Sequence, residues 1–225
     1  ATAQGDFEIS AAAADQMPIG DVTLFGIDGP IPSDLVQYDS ATVTVVVADA
    51  DGDGVIDSQE DGAPNGGDGN GDGILDRLQG NVASLPGSLN GLYLTLESEP
   101  QYALQNVQLA DNPSPGDAPA EVQFPLGFLA FDVADVPLGQ ATSVTVYLEQ
   151  GAQTNTAYRY GATPDNANPH WYAFLAGSGY GAAVYGSRVE MELLAGEQGD
   201  DAPQAPGIAV DLVGLGLSPT PWRNP

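Results

Sequence analysis

"ATVTVVVADADGDGVIDSQE", residues 41–60, passes without a break from β-branched residues into an alternation of aspartate and glycine. Residues 41–47 read as a strand, because threonine and valine suit the pleated, half-buried surface of a sheet. The next twelve positions carry oxygen donors at the spacing of a calcium loop. Such a loop needs ligands at positions 1, 3, 5, 7, 9 and 12, with glycine at 6 for a sharp turn. Asp49, Asp51, Asp53, Gly54, the Val55 carbonyl, Asp57 and Glu60 stand at those positions, and Ile56 at position 8 can anchor the loop to a core. An EF-hand would flank this loop with helices. Here a strand leads in, so the loop belongs to a β protein and the opening helix pair of a calcium sensor is not expected.

The spacing returns as Asp68, Asn70, Asp72, Gly73, Ile74 and Asp76, with Leu75 at the anchoring position and Gln79 at position 12. This second loop lacks the bidentate glutamate, so it is expected to bind more weakly alone. Either Asp76 coordinates directly, or a carboxylate such as Asp61 is shared. Asp-Gly runs also occur as solvated turns, but two loops in register, each with its apolar anchor, favour metal. Magnesium prefers fewer protein ligands and keeps its waters, so the expected cofactor is Ca2+, two ions or more. Without a cation the crowded carboxylates repel, and binding and local folding become one event. The expected role is structural.

The rest of the composition narrows the partners. The 225 residues carry 31 acidic side chains against four arginines and no lysine, a formal net charge of -27. Such a surface repels nucleic acid and anionic membranes. A hydrophobic content of 42%, with nine Tyr, six Phe and two Trp, is too apolar for a disordered acidic tail. Cysteine is absent, which leaves metal as the available cross-link. No apolar run is long enough for a membrane-spanning helix. The Ala1-Thr2-Ala3 start is compatible with a mature end left by signal cleavage.

Along the chain, short β-like runs at 22–27 and 41–47 precede the acidic loops, and an alanine run at 11–14 suits a single helical turn. Beyond the loops, strand candidates recur at 92–97, 102–109, 122–133, 142–149, 156–160, 171–175, 182–194 and 207–213, with turn signals between them. With 29 glycines and 18 prolines and no convincing helical period, the chain reads as all-β. The expected form is an antiparallel β-sandwich of Ig-like or jelly-roll type with an Asp/Gly-rich calcium-binding loop segment. Three parts follow: an N-terminal β segment at 1–48, a tandem calcium-binding repeat at 49–80 and the sandwich at 81–225. The first is a possible strand-exchange or Ig-like element. The repeat is either a stiff connector or an insert in one sheet.

The tandem D-x-D-x-D-G-x-x-D pattern resembles the thrombospondin type 3 repeat, without its cysteines. More specifically, "GDGILDRLQGNVASLP", "NVQLADNPSPGDAPAEVQFPLGFLAFDV", "TNTAYRYGATPDNANPHWYAFL" and "GSRVEMELLAGEQGDDAPQAPGIAVD" occur in the order seen in the bacterial choice-of-anchor U domain, which residues 72–213 resemble. That resemblance implies a secreted protein displayed on the bacterial cell surface, with no defining catalytic activity. The C-terminal "GIAVDLVGLGLSPTPWRNP" departs from the family in lacking a hydrophobic anchor with a basic tail.

Other candidate sites are weaker. His170, the only histidine, lies in "DNANPHWYAF" with no nucleophile motif such as G-x-S-x-G, and reads as a packed loop residue. Paired carboxylates suited to glycoside hydrolysis carry no information where acids are this abundant. Asp165, Asn166 and Asn168, or Asp200 and Asp201, fit a further calcium site or ordinary turns equally. Tyr158, Tyr160, Trp171, Tyr172, Tyr180 and Tyr185 either line a sugar-binding face or pack between strands. The leading expectation is therefore a self-assembling, calcium-stabilised structural subunit, a homo-oligomer or polymer formed by adding the N-terminal strand to a neighbour's open sheet edge. A calcium-dependent adhesin that holds glycans is the alternative, and an enzyme is not expected.

Overall fold

A computed structural model of the chain describes residues 48–88, 91–163, 165–177, 180–197, 200–201 and 205–219. The strands expected at 22–27 and 41–47, the alanine turn and the N-terminal exchange segment lie outside the described residues.

Ten strands form the described body: β1 (Val82–Pro86), β2 (Tyr93–Ser98), β3 (Leu104–Ala110), β4 (Phe128–Val133), β5 (Ala141–Leu148), β6 (Thr156–Thr163), β7 (Asn166–Ala173), β8 (Gly181–Val184), β9 (Arg188–Leu194) and β10 (Ile208–Gly216). They make two five-stranded sheets, ordered β1-β2-β5-β9-β8 and β3-β4-β10-β6-β7. Every strand pairing is antiparallel. The described residues thus form the antiparallel β-sandwich that the sequence leads one to expect.

Side-chain alternation explains the layering. Along β5, Thr142, Val144, Val146 and Leu148 are buried while the residues between them are more exposed, the period-two pattern of a sheet with one inward face. The first sheet contributes Leu94, Leu96, Val144, Val146, Val189, Met191 and Leu193 to the core, and the second contributes Leu104, Leu129, Phe131, Val133, Ile208, Val210, Val213 and Leu215. Each such side chain is worth about 1.5–3 kcal/mol of burial, which is why the sandwich needs no disulfide.

Four strands differ from the sequence expectation. The run 122–133 is not one strand: Gln123 makes an isolated bridge to Leu217, and β4 begins only after a turn at Gly127. The run 182–194 is a hairpin, closed by Tyr185 N donating to Arg188 O at 2.8 Å, with Gly186 in the left-handed region. β7 starts at Asn166, and so takes in Pro169 and His170. β1 was not expected at all. Its burial runs almost continuously from Val82 to Leu85, so the alternation that marks a strand is missing.

The reason for that two-sided burial is the acidic segment. It contains a helical turn α1 (Asp57–Glu60), a second turn at Pro64–Gly67 with Asn65 and Gly66 at positive φ, and a 3-10 turn at Asp76–Leu78. α1 and the 3-10 turn pack on β1, and β1 lies beside β3 at the same margin of the sandwich. Val107 N on β3 donates to Asp53 O at 2.9 Å, and Leu104 N donates to Gly80 O at 2.8 Å. The loops therefore take hydrogen bonds that a further strand would otherwise take on β3. The opposite margin is closed differently, by Ala182 N of β8 donating to Phe174 O at 3.0 Å and Ala176 N donating to Ala182 O at 2.8 Å.

Candidate metal centre

The two acidic loops share four backbone-to-carboxylate hydrogen bonds at matching positions. In the first, Asp49 accepts from Gly52 N at 2.8 Å and from Gly54 N at 3.3 Å. In the second, Asp68 accepts from Gly71 N at 2.8 Å and from Gly73 N at 2.9 Å. Asp53 accepts from Val55 N at 2.7 Å, and Asp72 from Ile74 N at 2.8 Å. Asp57 reaches back to Ala50 N at 2.8 Å, and Asp76 to Gly69 N at 2.9 Å. The short carboxylate side chains bond to nearby backbone amides, and this local pairing bends each loop around its own oxygens. The glycine at position 6 is required in both: Gly54 has φ +103° and Gly73 φ +92°, a region that β-carbon sterics deny to other residues.

Their surroundings differ. In the first loop Asp49 is exposed, Asp51 and Asp57 are half-buried, and Asp53, Val55 and Glu60 are buried. In the second, Asp68 and Asn70 are half-buried and Asp72 and Ile74 are exposed, Ile74 at 51%. Only Asp76 goes inside. Asp53, Glu60 and Asp76 are each 0% exposed.

Asp49, Asp51 and Asp53 bring one carboxylate oxygen each to within 4.8 Å of one another, a group able to hold a metal ion. The buried carboxylates of the two loops are uncompensated. Asp53 Oδ2, Glu60 Oε2 and Asp76 Oδ1 are buried and have no hydrogen-bond donor. Burying a carboxylate without a donor or counter-charge is costly, and the protonation equilibria register it. Burial, reinforced by Asp51, Asp49 and Asp76, pushes Asp53 up to about 7. Burial, reinforced by Asp53, Asp51 and Asp76, pushes Glu60 up to about 9. Asp51 and Asp76 are also raised, again chiefly by burial. A divalent cation among these oxygens would supply the compensation that the protein lacks. The donor set is all oxygen and mostly charged, which suits a hard cation.

Partners for two of these carboxylates come from the sheet and escaped the sequence reading. Ser84 on β1 and Thr95 on β2 are cross-strand partners with hydroxyl oxygens 2.6 Å apart. Ser84 Oγ donates to Asp76 Oδ2 at 2.5 Å, and Ser84 N donates to Glu60 Oε1 at 3.4 Å. Gly69 lies so close that a β-carbon there would sit 2.0 Å from Thr95 Oγ1. Tyr93 adds a hydroxyl that donates to Gln59 O at 2.8 Å. The available signal was a small polar residue inside an apolar run, Val82 to Leu85, which does not by itself indicate a ligand pocket.

Two further expectations about the second loop can be compared with the geometry. Asp61 is taken by Arg77, whose Nε donates to Asp61 Oδ1 at 2.8 Å. Gln79, at position 12, folds back on its loop with Nε2 at 3.4 Å from Asp72 Oδ1.

The weaker candidates are accounted for locally. His170 Nδ1 lies 2.9 Å from Asn168 O and 3.2 Å from Asn166 Nδ2, within its own strand. Asp165 accepts from Thr163 Oγ1, and Asn166 Oδ1 from Asn168 N. Asp200 caps a turn by accepting from Gly196 N and Ala209 N, and Asp201 pairs with the buried Arg159. The six aromatics do not share a face. Tyr158, Tyr160 and Trp171 cluster with Phe124 and Phe128 on the outer surface of the second sheet, where Trp171 Nε1 donates to Ser114 O at 3.3 Å. Tyr180 and Tyr185 stand exposed elsewhere. A hollow beside the cluster is lined by Ser88, Asp111, Asn112, Phe124 and Phe128.

The described residues define an antiparallel β-sandwich with an acidic double loop along one margin. Comparison with protein-family models, with curated proteins and with solved structures gives no match. Among the described residues no helix is long and apolar enough to cross a membrane.

Proposed function

We propose that the protein is a secreted, calcium-binding structural subunit of the bacterial cell surface, in which Ca2+ fixes the acidic loops against the sandwich and the subunits assemble into a fibre or surface layer. One observation carries the calcium reading: three carboxylates buried to 0% exposure each hold an oxygen with no donor, at the base of loops with calcium-loop spacing. Asp49, Asp51, Asp53, the Val55 carbonyl, Asp57 and Glu60 would hold the first ion. Asp68, Asn70, Asp72, the Ile74 carbonyl and Asp76 would hold the second. The bound ions supply charge compensation and cross-linking, and no bond-breaking chemistry.

The surface and assembly parts rest on the resemblance to choice-of-anchor U and thrombospondin type 3 sequences and on the net charge of -27. Subunits this acidic repel one another unless cations intervene. Assembly by N-terminal strand addition remains part of the same proposal. Equilibrium dialysis of metal-stripped protein tests the first part and is expected to show uptake of two calcium ions; none bound would end the reading. Electron microscopy of native material with calcium and with chelator tests the second, with filaments or sheets expected only with calcium.

A second reading, a calcium-dependent adhesin, has the hollow at Phe124 and Phe128 behind it, since aromatic planes beside Asp111 and Asn112 suit a sugar ring. A glycan array run with and without chelator separates the two.

A further inference from the structure

The spacing assigns Asp76 to the second loop, at its ninth position, but its burial is that of Asp53 and Glu60 in the first. Its counterpart in the first loop, Asp57, is half-buried, while Asp76 is 0% exposed. The two side chains make the same backbone hydrogen bond, Asp57 to Ala50 N and Asp76 to Gly69 N. What separates them is the second oxygen. Asp76 Oδ1 is sealed from water and has no donor.

That oxygen has company. Ser84 binds Asp76 through its hydroxyl and Glu60 through its amide, so one residue of β1 holds the ninth position of one loop beside the twelfth position of the other. Glu60 Oε2 and Asp53 Oδ2, both in the first loop, are likewise buried without a donor. Two loops thus each bury carboxylate oxygens that have no donor, and Ser84 ties one carboxylate of each, Glu60 and Asp76, to the same point of β1. A divalent cation beside Asp49, Asp51 and Asp53 is the compensation that such buried oxygens lack.

We propose that Asp76 is shared between the two cation positions: Oδ1 completes the buried side of the first, beside Asp53 and Glu60, while the same side chain closes the second. The two loops then load as a coupled pair, each ion fixing the carboxylate that the other needs. This rests on the calcium reading above.

The test is calcium stoichiometry and affinity by equilibrium dialysis and titration calorimetry on the whole chain, comparing wild type with Asp72→Asn and Asp76→Asn. Asp72→Asn is expected to lose one ion and leave the other within about twofold of its wild-type affinity, because Asp72 is exposed and belongs to one loop. Asp76→Asn is expected to weaken both, the first by about tenfold or more, the range over which ligand charge tunes oxygen sites. If Asp76→Asn loses one ion and keeps the other at full affinity, sharing is wrong and the calcium reading stands. If wild type binds no calcium, both fall. A variant-free measurement guards against misfolding: wild type loaded with mixed Tb3+ and Eu3+ should show strong energy transfer between adjacent ions. Its absence would also overturn the sharing.

Discussion

The two acidic loops have matching sequence spacing and matching backbone hydrogen bonds, yet one is half sunk into the molecule and the other lies mostly in water. Val55, at the seventh position of the first loop, is 2% exposed, and Ile74, its counterpart, is 51% exposed. Loop shape is thus a local property, set by aspartates bonding to amides a few residues away. Burial is a tertiary property, set by what β1, β2 and β3 offer underneath. The difference teaches that equal motifs need not be equal sites: the strength expected of each loop follows from its dry oxygens more than from its count of acids.

The largest way to break the comparison is to compare the protein with added calcium and with chelator. On the proposed calcium reading, each ion at a hundredfold excess over its Kd would add about 2.7 kcal/mol to the folded state. For a domain of this size that is on the order of 5–10 °C in Tm per ion. Calorimetry with calcium and with chelator should show it, and an unchanged transition would reduce the loops to solvated turns. Asp53→Asn should come next. It removes most of the first-loop increment with calcium, yet raises the stability of the chelated protein, since it relieves a buried, donorless charge. A destabilised chelated variant would contradict the account of Asp53.

Gly69→Ala should cost about 1–3 kcal/mol by overpacking, because its β-carbon would collide with Thr95 Oγ1. Urea midpoints measure it directly.

The chelated protein should also lose stability as pH rises. Burial pushes Glu60 up to about 9 and Asp53 up to about 7, from their ordinary 4.5 and 3.8. The fold favours their protonated forms, so their stabilising contribution is complete below the ordinary values and is lost as pH climbs through about 7 and then about 9. Calcium, which favours the ionised forms, should flatten or reverse that slope. The smallest effect belongs to the exposed side: Ile74→Ser should stay within about 0.5 kcal/mol, while Val55→Ser should not.

The sandwich was legible because β2, β5 and β10 carry β-branched and apolar runs bounded by turns. The bends of the loops were legible because aspartate and glycine at fixed spacing are a local turn code. β1 was not legible, since burial on both faces erases alternation and leaves Val82 to Leu85 looking like any apolar patch. The hairpin at Gly186 and Ser187 was within reach, as a glycine turn signal inside an otherwise continuous run. The sheet partners were out of reach: Ser84, Thr95 and Gly69 meet only because β1 pairs with β2 in one register and the loop folds back over both. The position of Asp76 is invisible for the same reason, since spacing records chain order and not which surface a side chain faces.

Val107 and Leu104 donate their amides to Asp53 and Gly80, so loop carbonyls stand where a neighbouring strand's would. A row of amides satisfied in this way is only as secure as the loops that satisfy it. Stripping cations from the protein would bare the rim of β3 and offer it to any extended peptide nearby, turning a question of stability into one of solubility. Chelated samples should accordingly clump in a concentration-dependent manner, and light scattering should find them dispersed again when calcium is restored.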